Sequence, residues 1–241
     1  MAPLRRDGKE RRDALLDAAL RCFARDGIMA TGIEQVRREA GASPSSVYHQ
    51  FKGLPELVLA LLQRTFERLL GAIAARVTAA RTARGAVERL VLGHLEWVFA
   101  HRDEARFMYQ ALALELRADT ARALTARKAE LLGPIAAALG TFVARGELPN
   151  WPPLTFDVVL LGQSHESFRR WLGGAPLEPA WMRRAMPRMA WESLGGAQPV
   201  APGRPRRRAR PPGAGRRTLP DYAFHATHAA GVASGGLAKR H

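Results

Sequence analysis

Apolar positions in the first sixty residues recur at helical spacing and break at glycines. Leu16, Ala19, Leu20 and Phe23 mark one face of a first helix, which Gly27 ends. Ile33, Val36 and Ala40 give a short second helix one apolar face. Thr31 and Glu34 have the spacing of a capping box, in which each side chain satisfies a backbone N–H at the helix start. Gly41 stands where that helix must stop, because glycine takes the left-handed conformation of a sharp turn. Ser43 predicts the N-cap of a third helix, and Pro44 suits its first position, where no N–H is wanted. Val47 and Phe51, at i and i+4, face inward. Pro44, Ser45, Ser46, Tyr48, His49 and Gln50 are left outward. Residues 32–51 therefore predict a helix-turn-helix, whose second helix can enter the major groove.

Downstream, Leu62, Phe66, Leu69, Ile73 and Val77 form the stripe of a helix from Leu54 to about residue 80, roughly 40 Å long. Further helices are predicted over 84–101, 103–117 and 119–145. Gly133–Pro134 predicts a kink in the last of these, and Gly146 its end. Pro149, Pro152 and Pro153 predict a stiff connector. Helices from Leu154 to Leu172 and from Pro179 to Leu194 follow, and Pro187 would kink the second or delay its start. Strand signals are almost absent, and there is no internal repeat. The expected class is all-α. A three-helix head occupies residues 1–53, a helical body 54–195, and a Pro/Gly/Arg-rich tail 196–241, which reads as disordered.

Composition adds a partner class. The 241 residues carry a formal charge of +15 and a pI of about 11.4, which favours a polyanion. Residues 197–241 hold nine Lys/Arg and one Asp, so +8 sits in the tail and +7 in the rest. Arginine outnumbers lysine 33 to 4, the bias of GC-rich coding, so a single arginine carries less meaning than usual. Cys22 is the only cysteine. It cannot form a disulfide within the chain, fits a reducing cytoplasm, and reads as a small apolar packing residue. The charged N-terminus has no apolar signal segment, and no charge-free run of about 18 apolar residues predicts a membrane span. The expected location is cytoplasmic, with no membrane partner.

Taken together, several of these residues resemble the TetR family of bacterial transcription regulators. The matching positions are Leu16, Ala19, Leu20, Phe23, Gly27 and Thr31, then Val36–Ala40–Gly41–Ser43, then Val47–Tyr48–His49 and Phe51, then Pro55–Glu56–Leu57. The detailed match covers roughly residues 9 to 60 and the helical remainder more loosely. The resemblance implies contacts to double-stranded DNA from Tyr48 and His49, which would position the protein on phosphate. Base readout would fall to Pro44, Ser45, Ser46 and Gln50; a glutamine can pair with adenine and a proline can touch a thymine methyl. Thr31, Ile33, Arg37, Ser43 and Lys52 complete the expected DNA-binding set. Three positions depart from the family pattern. Arg37 replaces a small residue, Ala42 a branched apolar one, and Leu54 a phosphate-contacting lysine, whose role Lys52 or Arg37 would have to take.

The same resemblance implies a body that encloses a small-molecule effector. Trp97 and His165 are the favoured lining residues, with His94, Phe107 and Tyr109 beside them. It implies a homodimer in which the last two helices pair with their copies through Leu161, Phe168, Trp171, Met182, Met186 and Met189. Effector binding would tilt the long fourth helix and change the spacing of two heads on a near-palindromic operator. No cofactor or metal is expected: His94 and His101 are two turns apart, about 10 Å, too far for one ion.

No catalytic motif stands up. Gly162–Gln163–Ser164–His165–Glu166 superficially matches a nucleophile elbow, but lacks the second glycine and a preceding strand. The expectation is a ligand-responsive repressor and not an enzyme. The alternative is a helical ligand- or partner-binding protein with a degenerate DNA head, which Arg37 and Leu54 keep open. In the tail, Pro202–Gly203–Arg204–Pro205 partly resembles an AT-hook, without the arginine before the glycine; His225 and His228 also lie there.

Overall fold

Helix α1 (Gly8–Asp26) buries Leu15, Leu16, Ala18, Ala19, Cys22 and Phe23 along one face. Burial pushes the Cys22 thiol pKa up, which suits an apolar packing role. The helix ends at Gly27, whose φ of 83° is the left-handed conformation that glycine tolerates. The chain is described by a computed structural model over residues 8–114 and 118–195; among these residues there is no strand. The tail, with its AT-hook resemblance, His225 and His228, lies outside the described residues.

The capping box is not formed. Helix α2 (Ile33–Glu39) has Gly32 as its N-cap and no side-chain cap. Thr31 is 3 % exposed, and its hydroxyl donates to the Gly27 carbonyl at 2.7 Å. The physical reason is local competition: four residues back, the end of α1 presents an orphan carbonyl within reach, and it captures the hydroxyl. Glu34 pairs instead with Arg37 at 2.7 Å. The turn that follows is as predicted, with Gly41 at φ 61°. Helix α3 (Pro44–Gln50) is capped by the Ser43 hydroxyl, which accepts from the Ser46 N–H at 3.3 Å. Val47 and Phe51 are buried behind it.

Helix α4 (Leu54–Val77) spans 24 residues, and all five predicted stripe residues are buried. Helix α5 (Ala83–Ala100) begins on Thr82, whose hydroxyl accepts from the Gly85 N–H at 3.1 Å. Helix α6 (Arg102–Leu112) stops five residues before the predicted end, in a turn where the Ala113 N–H returns to Gln110. Helix α7 (Ala118–Ala144) continues through Pro134 and ends before Gly146, at φ 74°. A short α8 (Pro153–Phe156) runs into a π-turn (Asp157–Leu161) and then α9 (Gly162–Leu172). The sequence predicts one regular helix across all three. Helix α10 (Pro179–Gly195) contains Pro187 as a buried residue, and its start is not delayed.

Helix α4 packs on α5 and α7, α10 packs on α5, and α1 packs on α2, α4 and α6. This arrangement corrects the interface expected from α9 and α10. Phe168 is 0 % exposed within a single chain, against His94 and Phe99. Leu161, Met182 and Met186 are buried in the same chain. Only Trp171, half-buried, and Met189, 39 % exposed, remain at the surface of that set. The cause is the α5–α10 packing, fastened where Arg183 donates twice to Glu96, at 2.8 and 3.2 Å. It uses the apolar stripe that was assigned to a second subunit.

Candidate nucleic-acid interface and body cavity

Helix α3 is held from three sides. Val47 and Phe51 anchor it in the core, and Ser43 closes its N-terminus. Arg12 of α1 closes the other end: its guanidinium donates to the Gln50 carbonyl at 3.2 Å and lies 4.5 Å from the Phe51 ring centre. A cation at a helix C-terminus meets both orphan carbonyls and the negative end of the dipole. Sequence reading missed Arg12, since nothing local links positions 38 residues apart.

Fixed in this way, the helix exposes Pro44, Ser45, Tyr48 and His49, with Ser46 and Gln50 half-exposed beside them. Tyr48 is 53 % exposed, unusual for an aromatic residue with no interior role. Ser43 is exposed, but its oxygen also serves the cap. Lys52 is exposed, and its backbone N–H donates to Glu56 at 2.8 Å. Three residues of the expected set are engaged in structure. Thr31 is buried, and Ile33 packs against the core. Arg37 braces the turn by donating to Glu34 and, at 3.0 Å, to the Ala42 carbonyl. Ala42 and Leu54 pack partly on the core, so the departures at 42 and 54 are taken up in packing and that at 37 in the turn.

The body holds a cavity of about 460 Å³ between α5, α7 and the segment before α9. Its wall is apolar, with Leu90, Ile135, Leu139, Val143, Trp151 and Leu161 prominent, and Asp157 as its one charged residue. A second space of about 60 Å³ shares Leu90, Leu132, Ile135, Asp157 and Leu161 with it, and adds His94, Tyr109, Lys128 and His165 among others. The Tyr109 hydroxyl lies 3.0 Å from His165 Nδ1 and 3.4 Å from His94 Nε2. His165 Nε2 is 3.9 Å from one Asp157 oxygen, and Lys128 Nζ is 4.0 Å from the other. Desolvation holds the His94 pKa well below the usual histidine range and pushes the Tyr109 phenol up. The His165 imidazole beside it holds the Asp157 carboxyl below the usual range, with Lys128 adding to the effect.

Of the expected effector residues, His94, Tyr109 and His165 come together here. Trp97 and Phe107 line neither space: Trp97 stacks on His101, ring centres 4.9 Å apart, and Phe107 stacks on Phe23. The α7 wall, Asp157 and Lys128 were missed, because an apolar stripe on a long helix reads equally as plain core. Ser164 is buried and donates to the Met186 sulfur at 3.8 Å, so the superficial nucleophile elbow is a packing contact. Among the described residues no three His, Cys, Asp or Glu side chains group to hold a metal, and no helix is long and apolar enough to cross a membrane.

Comparison with known proteins agrees with this geometry. Residues 15–61 match the family described as bacterial regulatory proteins, tetR family. The HTH-type transcriptional regulator BetI of Rhizobium meliloti (strain 1021) is 35 % identical over 81 residues, which cover 34 % of this chain and 40 % of that protein. BetI of Brucella abortus (strain 2308) is 36 % identical over 59 residues, 24 % of this chain and 30 % of that protein. The match to the first of these thus spans about 40 % of that relative's length. Among solved structures, a tetR family regulator from Shewanella sp. PV-4 superposes with a TM-score of 0.61 at 22 % identity, covering 76 % of this chain and 97 % of that one. The fatty acid degradation regulator FadR from Bacillus halodurans gives 0.59 at 17 % identity, covering 78 % and 96 %. Residues 15–61 thus match the tetR family of bacterial regulatory proteins, and the described residues have the fold of solved tetR family regulators.

Proposed function

We propose that this protein is a DNA-binding transcriptional regulator, a repressor that binds a near-palindromic operator as a homodimer and releases it when a small molecule enters the body cavity. The observation that carries the reading is the exposed polar face of α3, with Tyr48 and His49 outward on a helix locked by Ser43 at one end and Arg12 at the other. A groove-reading helix must be rigid where it meets the bases. In this reading residues 1–53 are the head and 54–195 the body, and the protein acts in the cytoplasm.

The dimer contact is assigned to what α9 and α10 leave outside: Trp181 at 42 % exposure, Met189, and the edge of Trp171. A single recognition helix of seven residues gives little affinity alone, and two heads bind successive turns of the duplex. Cavity and head are joined through α4 and α6, so a ligand that favours a DNA-incompetent arrangement needs only about 1.4 kcal/mol of coupling for a tenfold loss of DNA affinity.

A mobility-shift titration with the DNA upstream of the gene tests the reading. A shift that survives excess random DNA, and that Tyr48→Ala weakens, supports it. Shifts that random competitor removes, or that vanish with modest salt, favour the degenerate-head alternative.

A further inference from the structure

One assignment of the two imidazole tautomers gives the polar groups beside the cavity a consistent direction of hydrogen donation. The Asp157 carboxylate can only accept. Its oxygen lies 3.9 Å from His165 Nε2, and a neutral His165 with its proton on that nitrogen turns the N–H toward the carboxylate. His165 Nδ1 is then a bare lone pair, and the Tyr109 hydroxyl, 3.0 Å away, donates to it. With its proton committed there, the Tyr109 oxygen accepts from His94 Nε2 at 3.4 Å. A neutral imidazole has one N–H, so His94 Nδ1 carries a lone pair. Burial holds His94 neutral. That Nδ1 is itself buried and has no hydrogen-bond partner among the described residues. A buried polar atom left unpaired is costly, so it marks a place where a partner is favoured.

We propose that the cavity takes a mostly apolar molecule ending in a neutral hydrogen-bond donor, a hydroxyl or an amide N–H, and that this donor bonds His94 Nδ1. The proposal rests on the reading of the cavity as the effector site. The apolar wall and a volume of about 460 Å³ suit a small molecule with an extended hydrocarbon body. The 60 Å³ space in which His94, Tyr109 and His165 meet accommodates only a small head. Charge argues for neutrality, because Asp157 already faces Lys128 at 4.0 Å and His165 on its other side. A carboxylate head is the wrong partner. It is acceptor-only at neutral pH, would meet a lone pair at His94, and would stand beside Asp157.

Three probes with one hydrocarbon body separate the possibilities: 1-decanol, 1-methoxydecane and decanoate, titrated at pH 8 against the full chain and followed by tryptophan fluorescence, since Trp151 lines the cavity. Decanol should bind about tenfold or more tightly than either of the others, the usual penalty of a buried group left unpaired. His94→Phe should erase the preference while methoxydecane still binds. Tyr109→Phe frees His94 to change tautomer, so methoxydecane should gain on decanol with helicity intact. Val143→Trp, which fills the cavity, should remove binding of all three. If no probe binds, or Val143→Trp leaves binding unchanged, the reading of the cavity as a ligand site fails. If the probes bind and Val143→Trp blocks them, but decanol shows no advantage or the advantage survives His94→Phe, the donor assignment alone is overturned.

Discussion

Phe23 of α1 and Phe107 of α6 stack face to face, their ring centres 5.5 Å apart and their planes within 8°. Both are buried, and the stack joins the first helix of the head to the helix that carries Tyr109. Two ion pairs flank it: Asp17 with Arg64 at 2.8 Å ties α1 to α4, and Arg68 with Glu104 ties α4 to α6. These contacts make a continuous packed connection from α6, through α4, to α1.

The stack should also matter for stability. Phe107→Ala removes a fully packed aromatic ring, and core truncations of this kind cost about 3–5 kcal/mol. Urea unfolding followed by circular dichroism measures it. A loss below about 1 kcal/mol would mean that the ring is not a central packing element.

Tyr48→Ala should leave the fold intact, because the side chain is more than half exposed. It should weaken operator binding by about 1.5–3 kcal/mol, the range of a hydrogen bond to a charged group. Arg12→Ala should also weaken binding without touching DNA, by loosening the end of α3. Unchanged affinity for Tyr48→Ala, with normal helicity, would contradict the orientation assigned to α3.

Substitutions on α9 and α10 should divide into two classes. Phe168→Glu places a charge at a site with no exposure and should cost several kcal/mol, giving loss of fold. The double variant Trp181→Glu, Met189→Glu should keep its helicity and give monomers by light scattering. A folded dimer from the double variant would place the interface elsewhere.

Stability should fall as the medium is acidified below about pH 6.5, and His94 should be one cause. Its folded pKa is depressed by burial, so below the unfolded value of about 6.5 the unfolded chain binds a proton that the folded chain excludes. The unfolded state then binds more protons, and stability rises with pH through that window. One such group contributes at most about 1.4 kcal/mol per pH unit. His94→Phe should flatten the slope between pH 5 and 6.5. Asp157, also depressed, contributes stability that is lost at lower pH, as the fall passes through its folded pKa. An identical slope for wild type and His94→Phe would show that the ring is not held neutral.

The parts legible in the sequence were those governed by local chemistry. Gly41 at φ 61°, the Ser43 cap, Pro44 at the helix start and the buried pair Val47–Phe51 all follow from residues within a turn or two. What failed depended on a choice between competing partners. Thr31 had two within four residues, and the Gly27 carbonyl at the end of α1 took its hydroxyl. An apolar Phe168 or Met182 has the same pattern whether it meets α5 of its own chain or a helix of a second one. The cavity was half legible, since its two histidines and tyrosine are rare enough to notice, whereas the aliphatic α7 wall is not. The π-turn carries no composition signal that separates it from an ordinary helix.

That turn has a consequence for what the helix after it can do. In an unbroken α-helix, residues eight apart lie about 12 Å apart along the axis. Asp157 and His165 nevertheless approach to 3.9 Å, and the wide turn between them packs more residues into the same rise. Removal of Val159 should restore regular winding, keep α9 helical and separate the pair, which imidazole nitrogen chemical shifts would report; unchanged shifts would show that the pair does not depend on the wide turn. Each residue of an α-helix turns the chain by about 100°, so one residue more or less in this turn sets which face of α9 meets the cavity wall. Asp157, at that wall, is the first residue of the wide turn.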